Sequence, residues 1–212
     1  MSKVGKDLYN HQELYENGLN RFKRGVWCRK GYIHLKGKEY KLRMSITNRN
    51  FIIDFLYDCE IGKTGIKGRS KKAISKGRCY KYLQQLIRLN DYFRKDLDKI
   101  DNSDTERFIN DLNTDKFCKS GCKPLSEVTK VGYKITVIKF MKWLYKSKQP
   151  PAICNWFDLT AKDKPVYVPS FKDINKVIDS KTTSLRNRFI IRVLSDSGAR
   201  LSEFALSQLQ DF

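Results

Sequence analysis

The sequence predicts a mainly α-helical fold with a small β-containing module near its N-terminal end. Three observations predict it. From residue 74 onward, apolar residues recur at spacings of three and four, as in helices with one buried face. Residues 25–46 (GVWCRKGYIHLKGKEYKLRMSI) instead concentrate Trp, Tyr, Ile and Val between glycine-containing pairs, as short strands do. Four of the five prolines fall within residues 149–169, which separates one helical region from the next.

The elements follow in order. Residues 6–19 (KDLYNHQELYENGL) suit a short helix. Lys30-Gly31 and Gly37-Lys38 mark hairpin turns between two or three antiparallel strands. Residues 48–59 (NRNFIIDFLYDC) form a helix that packs on them, completing a basic α+β module over residues 1–60. Residues 61–81 (IGKTGIKGRSKKAISKGRCYK) hold eight lysines and arginines and no acid. Their first part, residues 61–73, reads as a flexible basic linker, either solvated or lying along phosphates. Gly62-Lys63-Thr64 resembles the tail of a nucleotide-binding phosphate loop. That loop needs a glycine five residues earlier, where this chain has Tyr57, so a nucleotide site is rejected.

A helix over about residues 75–95 follows from Tyr82, Leu83, Leu86, Ile87, Asn90 and Phe93. Ser103 and Glu106 fit a capping box opening a short helix with Phe108, Ile109 and Leu112 inward. Ser126 opens a long helix with a stripe of Val128, Val131, Ile135, Ile138, Met141, Leu144 and Tyr145. Lys130, Lys134, Lys139, Lys142 and Lys146 fall mostly off that stripe, on a face that is either solvated or suited to a phosphate backbone. Pro150-Pro151 ends this domain, placed at residues 74–148, and residues 149–165 form a second linker. Ser170 with Asp173 then caps a helix. Residues 184–197 form another, with Leu185, Phe189, Ile190, Val193 and Leu194 inward and Gly198 ending it. Ser202 caps a last helix carrying Leu206 and Leu209.

Charge narrows the function. The chain has 43 Lys+Arg against 23 Asp+Glu, a formal net charge of +20. Such a chain is drawn to polyanions, nucleic acid first and a membrane surface next. A generic basic or ribosome-associated protein is the bland alternative. No apolar run approaches the ~20 residues of a membrane helix, and the N-terminal residues lack a secretory apolar core, so an intracellular location is expected. The cysteines are Cys28, Cys59, Cys79, Cys118, Cys122 and Cys154. Only Cys118 and Cys122 are close, His11 and His34 lie far from them, and no metal-ligand set is visible. Reduced, buried thiols are the expected reading.

Arg200 sits between Gly198 and the cap residue Ser202. An arginine there is either an ordinary surface residue or a two-pronged phosphate ligand. The run Ser197-Gly198-Ala199-Arg200-Leu201-Ser202-Glu203, followed by Leu206 and Asp211, resembles the first arginine motif of the tyrosine recombinases, or phage integrases. Ser197 stands where threonine is commoner. Val166-Tyr167-Val168-Pro169 resembles the entry to that family's catalytic domain, and residues 74–147 resemble its helical core-binding domain. The layout, with strands near the N-terminus, is most similar to integrases of spindle-shaped archaeal viruses.

The resemblance implies a SAM-like core-binding domain followed by the first helices of an α+β catalytic domain at residues 166–212. It implies double-stranded DNA as partner, and other protomers in a tetramer. It also implies tyrosine attack on a phosphodiester without metal or nucleotide cofactor. Arg200 is the one catalytic residue it carries over, as ligand of the scissile phosphate. The family's later lysine, His-x-x-Arg motif and nucleophilic tyrosine have no counterpart after Arg200 in these 212 residues. The chain is therefore expected to be the N-terminal portion of a recombinase that does not cleave alone, or a DNA-binding regulator or relic derived from one. Lys71, Lys72, Lys76, Arg78, Lys81, Lys130, Lys134 and Lys139 are the expected DNA contacts.

Overall fold

The computed structural model describes residues 10–28, 39–64, 73–117, 124–161, 168–180, 183–198 and 204. It is mainly helical. The described residues form seven α-helices, one short 3-10 helix and one two-stranded ribbon. They divide into two compact units, residues 1–162 and 163–212.

The first unit opens with α1 (His11–Lys23), which leads through Gly25 into β1 (Val26–Cys28). That strand pairs antiparallel with β2 (Glu39–Lys41), Trp27 lying opposite Tyr40. The expected ribbon is thus present, while both proposed turn pairs lie outside the described residues. Helix α2 (Ile46–Glu60) starts where the Ser45 hydroxyl accepts the Asn48 N–H, filling one of the donors left open at a helix start. Then come α3 (Lys76–Phe93), the 3-10 turn Leu97–Lys99, α4 (Asn102–Asn113) and α5 (Glu127–Leu144).

These elements share one core, and this corrects the expected domain plan. Phe55 of α2 packs its ring against Tyr82 of α3 and against Phe140 and Trp143 of α5, at centroid separations of 5.4–5.8 Å. Tyr15 and Phe22 of α1 are buried in the same cluster. Gly18 explains how α1 comes so close to α3: a Cβ there would stand 2.8 Å from the ring of Tyr80. Residues 10–60 therefore share one core with residues 74–148 and do not form a separate module. The expected second linker is also partly core, since Cys154 and Phe157 are buried, Phe157 beside Phe108. The segment taken as a first linker leaves α2 at Ile61 and returns at Ile74, whose N–H donates to the carbonyl of Cys59 at 3.0 Å.

Polar groups stitch the same layers. Asn48, buried on α2, donates to Asn90 Oδ1 (2.9 Å) and to the Lys95 carbonyl (3.0 Å), and accepts the Leu97 N–H (2.8 Å). Asn90 in turn donates to the Arg43 carbonyl at 3.2 Å. A buried amide with its donors and acceptor engaged fixes the register of α2 on α3.

Two local expectations shift. The capping box of α4 is formed by Asp101 and Asp104, two residues before the expected pair. Ser103 is already inside the helix and donates to Asp101, whose carboxyl falls to about 2 under that bond and the Asp104 N–H. In α5 the expected stripe is split: Val128, Ile135 and Tyr145 are exposed, Val131, Ile138 and Leu144 are half-buried, and Met141 is buried. The buried face is Lys130, Tyr133, Lys134, Val137, Phe140 and Met141. This helix carries two apolar stripes, and the one with two aromatic rings removes more area from water.

The second unit is described at α6 (Phe171–Ile178) and α7 (Leu185–Ser197). The Ser170–Asp173 capping box is formed, and Gly198 closes α7 at φ 64 with its N–H on the Leu194 carbonyl. Arg188 donates to the carbonyls of Thr183 (3.0 Å) and Ser180 (2.9 Å), pinning the turn between the helices. Neither helix buries a residue: Leu185 and Phe189, expected inward, are exposed.

Candidate nucleic-acid interface

The basic residues of the helical region separate into those held by the fold and those left to solvent. Lys76, at the start of α3, ion-pairs with Glu60 and lies 5.0 Å from the Tyr15 ring centroid. Tyr15 donates its hydroxyl to the other oxygen of Glu60. Burial would raise the Glu60 carboxyl, but the bonds from Lys76 and Tyr15 outweigh it and hold the carboxyl low. Burial and the same carboxylate push Tyr15 up.

A lowered carboxyl gives stability above its unfolded value and loses it as pH falls through the folded one. The advantage of the wild type over Glu60→Gln in thermal unfolding is therefore expected above about pH 4.5, the ordinary glutamate value, and shrinks below it. A difference that grows on acidification contradicts this pairing.

The α5 lysines are mostly inward, which corrects the picture of one free cationic face. Lys130 is 6% exposed, and its amine meets Asp115 at 3.0 Å and Glu127 at 3.1 Å. Burial would lower that amine, yet the two carboxylates leave it raised. Lys134 is 8% exposed and donates to the Asp158 carbonyl at 3.0 Å. Lys139 is half-buried, 5.3 Å from the Tyr82 ring centroid, with its amine lowered chiefly by burial. Long aliphatic stems let these residues fill core-facing positions while their heads find partners.

What remains outward is a row on α3. Arg78 and Lys81 are exposed, and among the described residues neither meets a carboxylate within ion-pair distance. Arg88, also exposed, donates to the Tyr133 hydroxyl at 3.1 Å. At 1.5 Å per residue, Arg78 to Arg88 spans about 15 Å, comparable to the major-groove width of roughly 12 Å. Lys81 leans over α5 at Gly132, where a Cβ would stand 3.3 Å from its amine. Val128 and Ile135, one turn to either side of Gly132, are exposed on the same α5 face. The outward surface thus joins α3 cations to α5 apolar side chains.

Lys71, Lys72 and Arg200 lie outside the described residues, as do Ser202, Leu206 and Leu209. Of the motif around Arg200, only Ser197 and Gly198 are described, where α7 ends. Cys59, Cys79 and Cys154 are free and buried, and burial pushes Cys79 up to about 12 and Cys154 up to about 11. Thiols so protonated are not nucleophiles at neutral pH. Among the described residues no cluster of three or more His, Cys, Asp or Glu could hold a metal, and no helix is long and apolar enough to cross a membrane.

These features define a mainly helical protein with an open cationic row on one helix. The chain matches no protein-family model, no curated protein and no solved structure.

Proposed function

We propose that this chain binds double-stranded DNA as the N-terminal part of a site-specific tyrosine recombinase. The core-binding role falls to residues 74–147 and the scissile-phosphate contact to Arg200. The observation that supports DNA binding best is the pair Arg78 and Lys81 on α3, which are exposed while Lys76, Lys130 and Lys134 are tied into the fold. The recombinase reading rests on the sequence motif around Arg200. The activity proposed for these 212 residues is DNA binding.

Selection of sites from a random duplex pool, followed by footprinting, tests the reading. A footprint over an inverted repeat, with a specific-to-random affinity ratio of about a thousandfold or more, supports it. A ratio near one at every salt concentration overturns it and leaves a generic polyanion binder. In the same assay Arg200→Ala is expected to weaken binding by less than about tenfold, because one phosphate contact is a small share of the total.

A further inference from the structure

A second cationic feature lies at the junction of α1, the ribbon and α2. Arg49 is the fourth residue of α2. Its guanidinium rests on the bare backbone of Gly25: a Cβ there would stand 2.9–3.1 Å from Nη2, Nη1 and Cζ. Gly25 adopts φ +75, and its carbonyl accepts the Leu42 N–H at 2.9 Å, so this backbone is fixed from the other side. Arg49 Nε is buried with no hydrogen-bond partner among the described residues.

A partly buried guanidinium is ordinarily matched by a carboxylate, and a buried donor without an acceptor is destabilising. Here the surroundings add charge of the same sign. Arg24 precedes Gly25, Lys41 pairs across the ribbon with Val26, and Arg43 follows Leu42; all three are exposed. The start of α2 contributes its own positive dipole end and has no acid in its first turn. Asp96, which reaches the Ser45 cap, is already paired with Lys99 at 3.0 Å.

We propose that Arg49, seated on Gly25, together with the exposed Lys41 and Arg43 on either side of Leu42 in the chain, is a binding site for a phosphate oxyanion. Two guanidinium N–H groups match two oxygens of such a group, and the flanking cations supply the field that draws it in. The site stands on this geometry. Its occupancy by a nucleic-acid backbone phosphate, as opposed to free phosphate, rests on the DNA-binding reading.

The test uses the full chain and two probes. One is a 20-base-pair duplex titrated by fluorescence anisotropy from 50 to 300 mM salt. The other is inorganic phosphate against chloride at equal ionic strength, read by thermal unfolding. For a backbone occupant, Arg49→Gln is expected to weaken duplex binding by about fivefold at 0.15 M salt and to lower the salt slope by about one. For a free phosphate occupant, phosphate raises the melting temperature of the wild type and not of Arg49→Gln. If the wild type binds no duplex but shows an Arg49-dependent phosphate shift, the site stands and the DNA reading falls. If neither response depends on Arg49, the site is overturned. Arg49→Met guards against loss of fold. It removes the orphan nitrogen, so in phosphate-free buffer it is expected to melt no lower than the wild type. A clear drop shows that the fold already satisfies the guanidinium and overturns the proposal.

Discussion

Replacing Phe55 with alanine is expected to destabilise the whole first unit by about 3–5 kcal/mol, the usual range for deleting a buried phenyl ring. The ring is fully buried and touches Tyr82 of α3 and Phe140 and Trp143 of α5, so no single neighbour can collapse into the space. Domains of this size are commonly stable by only 5–15 kcal/mol, so the loss is a large share of the total. Because Phe55 lies on α2, the result also tests the shared core. Chemical denaturation of the variant, followed by both far-ultraviolet dichroism and tryptophan fluorescence, is expected to give one early, coincident transition. If dichroism instead retains a stable helical phase while fluorescence changes early, α3–α5 fold without α2 and the single core is wrong.

The second large effect concerns the α3 row. Under counterion release, a phosphate contact contributes roughly a factor of five at 0.15 M salt and about 0.9 to the salt slope. The double variant Arg78→Gln with Lys81→Gln is then expected to lose about thirtyfold in duplex affinity and about two in slope. Among the described residues neither side chain has a carboxylate partner to lose, so thermal stability should barely move. Lys130→Gln supplies the opposite pattern. It removes the partner of Asp115 and Glu127 and is expected to cost about 1–2 kcal/mol of stability, with the slope unchanged. A slope change for Lys130→Gln without a change for the α3 pair would exchange the two faces.

Much of the fold was legible in the residues. All six positions read as the α3 stripe, Tyr82, Leu83, Leu86, Ile87, Asn90 and Phe93, are buried. The caps at Ser126 and Ser170 and the glycine stop at Gly198 are where local chemistry places them. What failed depended on partners distant in sequence. Spacing reports that a helix has an apolar side but not which element covers it, so α1 and α2 could be assigned to a separate module. In α5 two apolar stripes competed, and Phe55, against Phe140, and Phe117, against Tyr133, favour the buried one.

The site was less legible than the fold. Reading lysines as a solvated face ignores how far their stems reach, and Lys130 and Lys134 are core-facing because Asp115, Glu127 and the Asp158 carbonyl await their amines. Lys81 and Arg78, read as DNA contacts, are exposed, while Gly132, which lets Lys81 lie across α5, carries no signal in spacing. Arg49 also went unnoticed. The nearby Gly25 was visible in the sequence, but nothing local says that a guanidinium rests on it.

The return of Ile74 to the carbonyl of Cys59 has a consequence for how this chain can vary. Its two anchor points sit together whatever lies between them, because the Ile74 N–H bond and the Lys76–Glu60 pair hold both sides of the gap. Closing a longer excursion between fixed ends costs only about 0.6 kcal/mol per doubling of length. By chain entropy alone, a longer path between Thr64 and Ala73 would therefore cost the fold little, so a difference in chain length at this point need not separate two proteins of the same architecture.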